Sequence, residues 1–262
     1  MLTTAFGIGL FCGIYADDLH AVIFNADNRY YPVFSLKTEC QIQEHRYYIP
    51  NTNNTSLSNV NKDVPVGRPL DVSFLENMER TKLLYIGQYA DDTLLRNLFD
   101  DPKSGACITN FLAKGGTLFF DYNSAYHILN SFLKSVGVDQ PGARKPGACS
   151  VAIWPDNAQM GLFHQPNQIT AIKQQSYSWW EKWSDGQIAP LRNASDPGRQ
   201  ATMIIQERVL GKGRVIFNQN YEYFRSCGMF TENLLTYIYG VNLRNYREQK
   251  LKEEGGPGEL IK

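Results

Sequence analysis

The sequence predicts an α/β protein, a three-layer sandwich whose central sheet is mostly parallel and flavodoxin-like. Short apolar runs typical of buried strands alternate along the chain with segments whose apolar residues recur at helical spacing. This alternation is typical of parallel strands that helices cover on both faces. The 262 residues are enough for one large domain with a stable core, and we expect that domain to span residues 19–243.

The composition excludes several classes of protein. Lys and Arg together number 26, as do Asp and Glu, and a chain of zero net charge is not a typical nucleic-acid binder. No apolar run is long enough for an ordinary membrane-spanning helix. The cysteines show no CxxC spacing, and the chain has no phosphate-binding glycine motif. We therefore predict no cofactor, no metal site and neither nucleic acid nor membrane as a partner.

The two ends of the chain differ from the middle. Residues 1–16 are apolar and rich in small residues, like the hydrophobic region of a secretory signal peptide, although no Lys or Arg precedes them. We expect a cleaved signal and a secreted or periplasmic protein, and the alternative is a buried N-terminal strand or helix. Residues 244–262 are highly charged and predict a flexible tail.

Removal of the N-terminal segment would leave four of the five cysteines. An even number in an exported protein permits two disulfides, whose pairing the sequence does not fix. Buried thiols are the alternative, because a core of this size does not need bridges. The four residues are Cys40, Cys107, Cys149 and Cys227.

The predicted domain begins with a buried strand. Residues 20–25 form a short apolar run that ends at an Asn. Residues 26–70 hold many Asn, Tyr and Pro residues and predict an irregular, partly helical insertion. Near-helical spacing of apolar residues predicts a helix over 70–82, and the run at 83–87 predicts the next strand.

The middle of the chain carries the strongest helix signals. At Asp101-Pro102 an Asp can cap the free amides while Pro occupies the first helical position. The helix that follows should end at Gly115-Gly116, where glycine accommodates positive φ. Residues 117–121 predict a strand, and a wide apolar stripe predicts another helix over 124–136.

The last third of the chain predicts further strands and a final helix. Residues 150–154 form one expected strand. Residues 201–206 and 213–218 form two more, joined by a Gly-rich turn. An apolar pattern predicts a helix over 230–239. The segment 174–184 is dense in aromatic residues, and we expect it to cover a site or to pack as a helix against the core.

Three local patterns occur in one order along the chain. A helix, a Gly-Gly stop, a strand and a tight strand-to-helix turn occupy residues 103–126. The turn and strand LGKGRVIF occupies residues 210–217, and a terminal helix contains the run ENLL at 232–235. Together these patterns resemble the class I glutamine amidotransferase-like superfamily, particularly its ThuA-like and other non-amidotransferase branches, over about residues 19–243.

The resemblance implies where a catalytic centre would lie. Active amidotransferases of this fold place a Cys nucleophile between small residues, on the turn after the strand that follows Gly-Gly. The matching position is Tyr122, between Phe120 and Ser124, and a phenol with a pKa of about 10 supplies little anion at neutral pH. The family's His-x-Glu pair is matched by Asn220 and Glu222, and an Asn cannot transfer a proton as an imidazole does.

The leading hypothesis is therefore a non-catalytic amidotransferase-like binding or assembly module in an exported protein, with a link to carbohydrates that the ThuA-like resemblance implies. Its ligand should lie at the carboxyl ends of the parallel strands. Aromatic rings from segment 174–184 would stack on a sugar or cover the site. The predicted ligand-binding residues are Tyr89, Tyr122, Asn123, Asn220, Trp179 and Trp180.

Two alternatives remain open. One is a hydrolase that uses Asp121, His127 and Glu222 at the same cleft, which requires these side chains to converge within hydrogen-bond reach. The other is a purely structural protein-interaction domain, which requires a broad exposed apolar patch around residues 179–183. The expected partner is a carbohydrate or a protein, including a second copy of the chain.

Four polar residues near the predicted strand ends have two interpretations each. Asp91 and Asp92 could bind a cation as paired carboxylates, but an Asp-Asp-Thr run more often begins a helix, which we favour. His127 could act as a base for Ser124. We favour Ser124 as a helix cap and His127 as a partly exposed helix residue.

Overall fold

The computed structural model describes residues 18–25, 36–49, 67–88, 90–122, 124, 126–173, 175–220 and 228–254. Ten strands lie within these ranges. They are β1 (His20–Asn25), β2 (Gln43–Tyr48), β3 (Arg68–Pro69), β4 (Thr81–Ile86), β5 (Thr117–Phe120), β6 (Arg144–Ile153), β7 (Gln175–Trp180), β8 (Ile188–Asn193), β9 (Ala201–Val209) and β10 (Gly213–Asn218).

Helices follow or separate several of the strands. The α-helices are α1 (Leu36–Cys40), α2 (Asp92–Asp100), α3 (Pro102–Ala113), α4 (Asn130–Ser135), α5 (Gly161–His164), α6 (Met229–Tyr239) and α7 (Leu243–Glu253). Short 3-10 helices cover Val72–Asn77, Tyr126–Leu129 and Pro155–Asn157. None of the helices in the described ranges combines the length and the apolar composition that crossing a bilayer requires.

The strands form one mixed sheet in the order β3-β2-β1-β4-β5-β10-β9-β7-β6-β8. The first six strands of this order, β3, β2, β1, β4, β5 and β10, pair in parallel. The other four pair antiparallel, and an additional β8–β9 ladder closes them into a four-stranded barrel. The barrel joins the rest of the sheet through the antiparallel β9–β10 ladder. The prediction of a mostly parallel, flavodoxin-like sandwich is therefore wrong.

Short connections explain why the barrel strands are antiparallel. A parallel crossover needs about a dozen residues or more and usually contains a helix. Residues 181–187, 194–200 and 210–212 connect β7 to β8, β8 to β9 and β9 to β10, and none of these segments contains a helix. The chain can therefore only turn back on itself at these points. The Gly-rich turn at 210–212 is the one such turn that the sequence predicts.

Apolar side chains pack on both faces of the parallel strands. Along β1 the side chains alternate: Val22 and Phe24 belong to one apolar cluster, and Ala21 and Ile23 belong to another. The first cluster includes buried residues of α2 and α3, and the second includes buried residues of α1, α6 and α7. A strand that is buried on both faces has no polar alternation, which is why residues 20–25 form a continuous apolar run.

The predicted boundaries of α3 are confirmed. The carboxylate of Asp101 accepts a hydrogen bond from the backbone N–H of Ser104 at 2.8 Å, and Pro102 is the first helical residue. Gly115 follows the helix with a φ of 92°, a conformation that favours glycine. The predicted strands over 20–25, 83–87, 117–121, 150–154, 201–206 and 213–218 each overlap an observed strand.

Several other predictions about elements are wrong. The region 26–70, expected to be irregular, contributes β2 to the sheet, although the β2 sequence QEHRYY is mostly polar. The aromatic segment 174–184 contains strand β7 instead of a helix. Residues 244–253, expected in a flexible tail, instead belong to α7, where Tyr246 is fully buried.

Some predictions concern residues outside the described ranges. The proposed signal peptide at 1–16, Cys227 and the end of the chain from residue 255 are among them. Cys107 and Cys149 carry free thiols. With two of the four cysteines free, the alternative with two disulfides fails.

Trp180 should be essential for the stability of the fold. Its ring is fully buried, and its indole N–H donates a hydrogen bond to the Tyr126 hydroxyl at 2.8 Å. We expect Trp180→Ala to lower the free energy of unfolding by about 3–5 kcal/mol in urea denaturation. Tyr177→Ala removes an exposed ring from the same strand and should cost about 1 kcal/mol or less. Equal losses for the two variants would contradict the assignment of Trp180 to the core.

Candidate functional site

A cleft of about 740 Å³ opens beside the carboxyl ends of the parallel strands. Its walls come from the segments that follow β4, β5 and β10 and from the segment that leads into β6. This is the edge at which open α/β sheets usually bind ligands. Its polar lining includes Asp92, Ser124, Tyr126, His127, Arg144 and Gln219.

The Asp121 carboxylate lies directly after β5 and connects three neighbouring strands. It accepts hydrogen bonds from the Tyr85 hydroxyl on β4 and from Asn218 Nδ2 at the end of β10, the latter at 2.8 Å. Burial raises the pKa of Asp121 to about 6, although these hydrogen bonds favour the charged form. Burial and the nearby carboxylate raise the pKa of Tyr85 well above its ordinary value, so Tyr85 stays protonated and donates.

A tight turn follows Asp121 and leads to the cleft. The backbone N–H of Ser124 donates to the carbonyl oxygen of Asp121 at 2.9 Å, and the 3-10 helix Tyr126–Leu129 begins shortly after. Tyr122, at the position that the resemblance assigns to the nucleophile, is half-buried in this turn. Phe120 is fully buried and stacks on Phe217 of β10, with ring centroids 5.3 Å apart. The chain therefore turns sharply here around bulky side chains that belong to the core.

Asn220, which the resemblance assigns to the position of a catalytic His, is a buried structural residue. Its side-chain amide donates to Asn218 Oδ1 at 2.9 Å and to the carbonyl oxygen of Thr202 at 3.2 Å. Its backbone N–H also donates to Asn218 Oδ1, at 3.1 Å. Asn220 thus extends the Asp121 network from β10 to β9 of the barrel. It does not line the cleft.

His127 and Asp121 are not brought together. The Asp121 carboxylate is buried against Tyr85 and Asn218, whereas the His127 side chain is 62% exposed and lies 3.6 Å from Asp92. Asp91 caps α2 by accepting from two backbone N–H groups, which confirms the interpretation of Asp91-Asp92 as a helix start. Glu222 lies outside the described residues. The described residues contain no group of three or more His, Cys, Asp and Glu suited to a metal ion.

Ser124, His127 and Asp92 line the same cleft but do not form a catalytic triad. A serine nucleophile needs a base within hydrogen-bond reach. The Ser124 hydroxyl is buried and has no hydrogen-bond partner in the part of the chain that the structure describes. The nitrogen of His127 that faces Asp92 is Nε2, and its contact with that exposed carboxylate is worth little free energy. This arrangement provides polar groups to a ligand but does not activate the hydroxyl.

Two polar side chains of the lining keep hydrogen atoms that no described residue accepts. The amide oxygen of Gln219 accepts from Ser178 Oγ at 2.5 Å, which leaves its NH₂ group for another partner. The Tyr126 hydroxyl accepts from the Trp180 indole at 2.8 Å and therefore keeps its own proton available to donate. Sequence reasoning missed Tyr126, Gln219 and Arg144 as site residues. For Gln219 a signal existed, because it follows a predicted strand end.

Of the aromatic residues predicted to bind a ligand, the three that the structure describes, Tyr122, Trp179 and Trp180, do not line this cleft. Trp180 is fully buried in the core. The Trp179 ring packs over Gly147 of β6, so closely that a Cβ atom there would lie 2.5 Å from it. Among the four aromatic residues of segment 174–184, Tyr177 is the exposed one. Two further predicted ligand residues, Tyr89 and Asn123, lie outside the described residues.

No protein-family model and no curated protein sequence matches this chain. Solved structures with a similar fold do exist. A cytoplasmic protein from Salmonella typhimurium LT2 superposes with a TM-score of 0.53 at 9% identity, over 86% of this chain and 99% of its own. At this identity the likeness shows a shared fold and nothing about activity.

Two similar structures have names connected with the predicted superfamily. PurLQS from Thermotoga maritima gives a TM-score of 0.47 at 11% identity, over 87% of this chain and 98% of its own. A protein from Thermoplasma acidophilum that is named as part of a GMP synthase gives 0.44 at 9% identity, over 89% of this chain and 98% of its own. Both superpositions are too loose to say more about this chain.

The comparison corrects the expected localisation. The Salmonella protein that shares the fold is named as cytoplasmic, which contradicts the prediction of a secreted or periplasmic protein with a cleaved signal peptide. The apolar character of residues 1–16 is the whole basis of that prediction, and those residues lie outside the described ranges.

The raised pKa of Asp121 predicts how stability depends on pH. Between its ordinary pKa of 3.8 and the folded value of about 6, the unfolded chain loses this proton and the folded chain keeps it. The contribution of Asp121 to the free energy of unfolding should therefore fall by about 2 kcal/mol as the pH rises from about 4 to 7.5. In Asp121→Asn this fall should be missing, so the variant should gain stability relative to the wild type as the pH rises. Urea denaturation at the two pH values measures the difference.

A second variant tests the role of Tyr85. Tyr85→Phe removes a hydrogen bond that favours the charged carboxylate, so the pKa of Asp121 should rise further and the fall in stability should extend to higher pH. If the stability difference between wild type and Asp121→Asn is the same at pH 4 and pH 7.5, the burial of a titrating carboxylate at this position is contradicted.

Proposed function

We propose that this chain is a non-catalytic member of the class I glutamine amidotransferase-like superfamily, related to its ThuA-like branch, which binds a small molecule in the cleft beside β5. The observation that carries the proposal is the turn after β5. Its carboxylate, Asp121, is fixed by Tyr85 and Asn218, and the position of the nucleophile is held by Tyr122. A turn built in this way supports a binding site but provides no activated nucleophile.

The chemistry of Asn220 also supports the proposal. Proton transfer at this position would need an imidazole or a carboxyl group with a free face toward the cleft. Asn220 is buried, and its amide is engaged by Asn218 and Thr202. An amide at this position cannot act as a proton-transfer base. The Asn220 amide instead links the end of β10 to β9 of the barrel through its hydrogen bonds.

The size and lining of the cleft favour a small polar ligand. Pockets for small molecules usually measure about 300–1,000 Å³, and this cleft measures about 740 Å³. The described aromatic rings of segment 174–184 lie outside its lining, so they offer no stacking platform for a sugar there. The proposal therefore does not include a carbohydrate ligand. The hydrolase alternative is disfavoured because Asp121 and His127 do not converge.

A screen of small polar molecules by ligand-observed NMR tests the proposal. Ala143 is an exposed residue of the cleft lining, so Ala143→Trp should fill the cleft and remove the saturation-transfer signals of the molecules that bind. Ala106→Trp places the same ring at an exposed position on α3 outside the cleft and should leave those signals unchanged. The proposal would be overturned if the saturation-transfer signals persist in Ala143→Trp, or if no molecule in the screen binds the wild type.

Turnover is tested separately with glutamine. We expect no release of ammonia above the uncatalysed rate from the wild-type protein, because no described residue at the turn is a thiol paired with an imidazole. A coupled ammonia assay gives the rate. Ammonia release that disappears in Tyr122→Phe would contradict the non-catalytic part of the proposal.

A further inference from the structure

We propose that the ligand of this cleft carries an oxyanion, a carboxylate or a phosphate, which Arg144 binds together with the hydrogen-bond donors of Ser124, Tyr126 and Gln219. This inference rests on the proposed function and specifies the chemical class of its ligand. Its basis is the distribution of charge and of hydrogen-bond donors in the cleft.

Arg144 supplies the positive charge. It is the first residue of β6, it is exposed, and it lines the cleft. In the part of the chain that the structure describes, no carboxylate lies within ion-pair distance of it, whereas the neighbouring Lys145 contacts Glu181 at 3.8 Å. A guanidinium without a partner at the edge of a cleft can bind both oxygens of an anionic group through its planar fork of donors.

Three uncharged groups add donors to the same lining. The Ser124 hydroxyl is buried without a hydrogen-bond partner among the described residues, a state that costs free energy unless a ligand satisfies it. The Tyr126 hydroxyl already accepts from Trp180, and the Gln219 amide oxygen already accepts from Ser178. Each of these two side chains therefore has hydrogen atoms left to donate. A lining of donors complements a ligand rich in acceptor oxygens.

The carboxylate of the lining forms no ion pair with Arg144 among the described residues. Asp92 is the carboxylate of the lining, and it lies 3.6 Å from His127, which can hold it at the rim. The positive charge of Arg144 also acts on Tyr126, where it counteracts part of the rise in pKa that burial causes. Arg144 and Tyr126 both belong to the lining of the cleft.

A titration with two simple anions tests the inference. Succinate and inorganic phosphate are added at constant ionic strength, with chloride as the salt control, and binding is followed by protein chemical-shift changes. We expect saturable binding of at least one of them. Arg144→Gln should weaken it about tenfold or more, because a charge-assisted hydrogen bond is lost. Lys145→Gln removes the neighbouring cation outside the cleft and should change the affinity less than twofold. The tighter of the two anions identifies the carboxylate or the phosphate source.

Ser124→Ala separates binding from folding. Its melting temperature should equal or exceed that of the wild type, because the variant removes a buried hydroxyl without a partner, while the anion should bind several-fold more weakly. Equal weakening by Arg144→Gln and Lys145→Gln would overturn the inference, since it would mean screening by net charge. A different result would overturn the inference and leave the proposed function intact. In that case, uncharged molecules would bind the wild type and lose binding in Ala143→Trp, and neither succinate nor phosphate would compete with them.

Discussion

The Asp121 carboxylate accepts hydrogen bonds from Tyr85 on β4 and Asn218 at the end of β10, and so holds the ends of three neighbouring strands in place. A charge this deeply buried is tolerated only when hydrogen bonds satisfy it. Asn218 passes the network on to Asn220, which bonds to β9. The turn that carries Ser124, the strand end that carries Gln219 and the attachment of the barrel all depend on these contacts.

The cleft exists because two kinds of sheet meet at β10. On one side β10 pairs in parallel with β5, and on the other it pairs antiparallel with β9 of the barrel. The parallel side provides the strand ends at which α/β sheets bind ligands, and the barrel provides a wall through the start of β6. Residues at such a junction are held from both sides. This favours a rigid binding surface with fixed donors.

Local signals predict much of the parallel half, because β1 forms an apolar run and α3 has its own cap and stop residues. The same rules miss β2, because its mostly polar sequence carries no strand pattern and its strand forms by pairing with β1 and β3. They also miss the barrel, because the antiparallel pairing there depends on the lengths of the connecting loops. Strand β7 is also missed, because its inward-facing residues include two serines. Ser176, Ser178 and Trp180 are buried and alternate with more exposed residues, so the strand lacks the usual alternation of apolar and polar side chains. For the site, the sequence predicts the turn at Tyr122 and Ser124. It does not predict Arg144, because no sequence motif distinguishes a single Arg in a Pro/Gly-rich segment as a site residue. Only the fold shows that Arg144 lies beside the cleft.

We propose that this cleft holds a molecule and leaves it unchanged. The most direct test follows one NMR sample of protein and bound ligand over hours and measures saturation transfer and ligand intensity together. The account predicts continued saturation transfer at constant intensity. Loss of ligand signal with growth of product signal in the wild type, absent in Ser124→Ala, would contradict it.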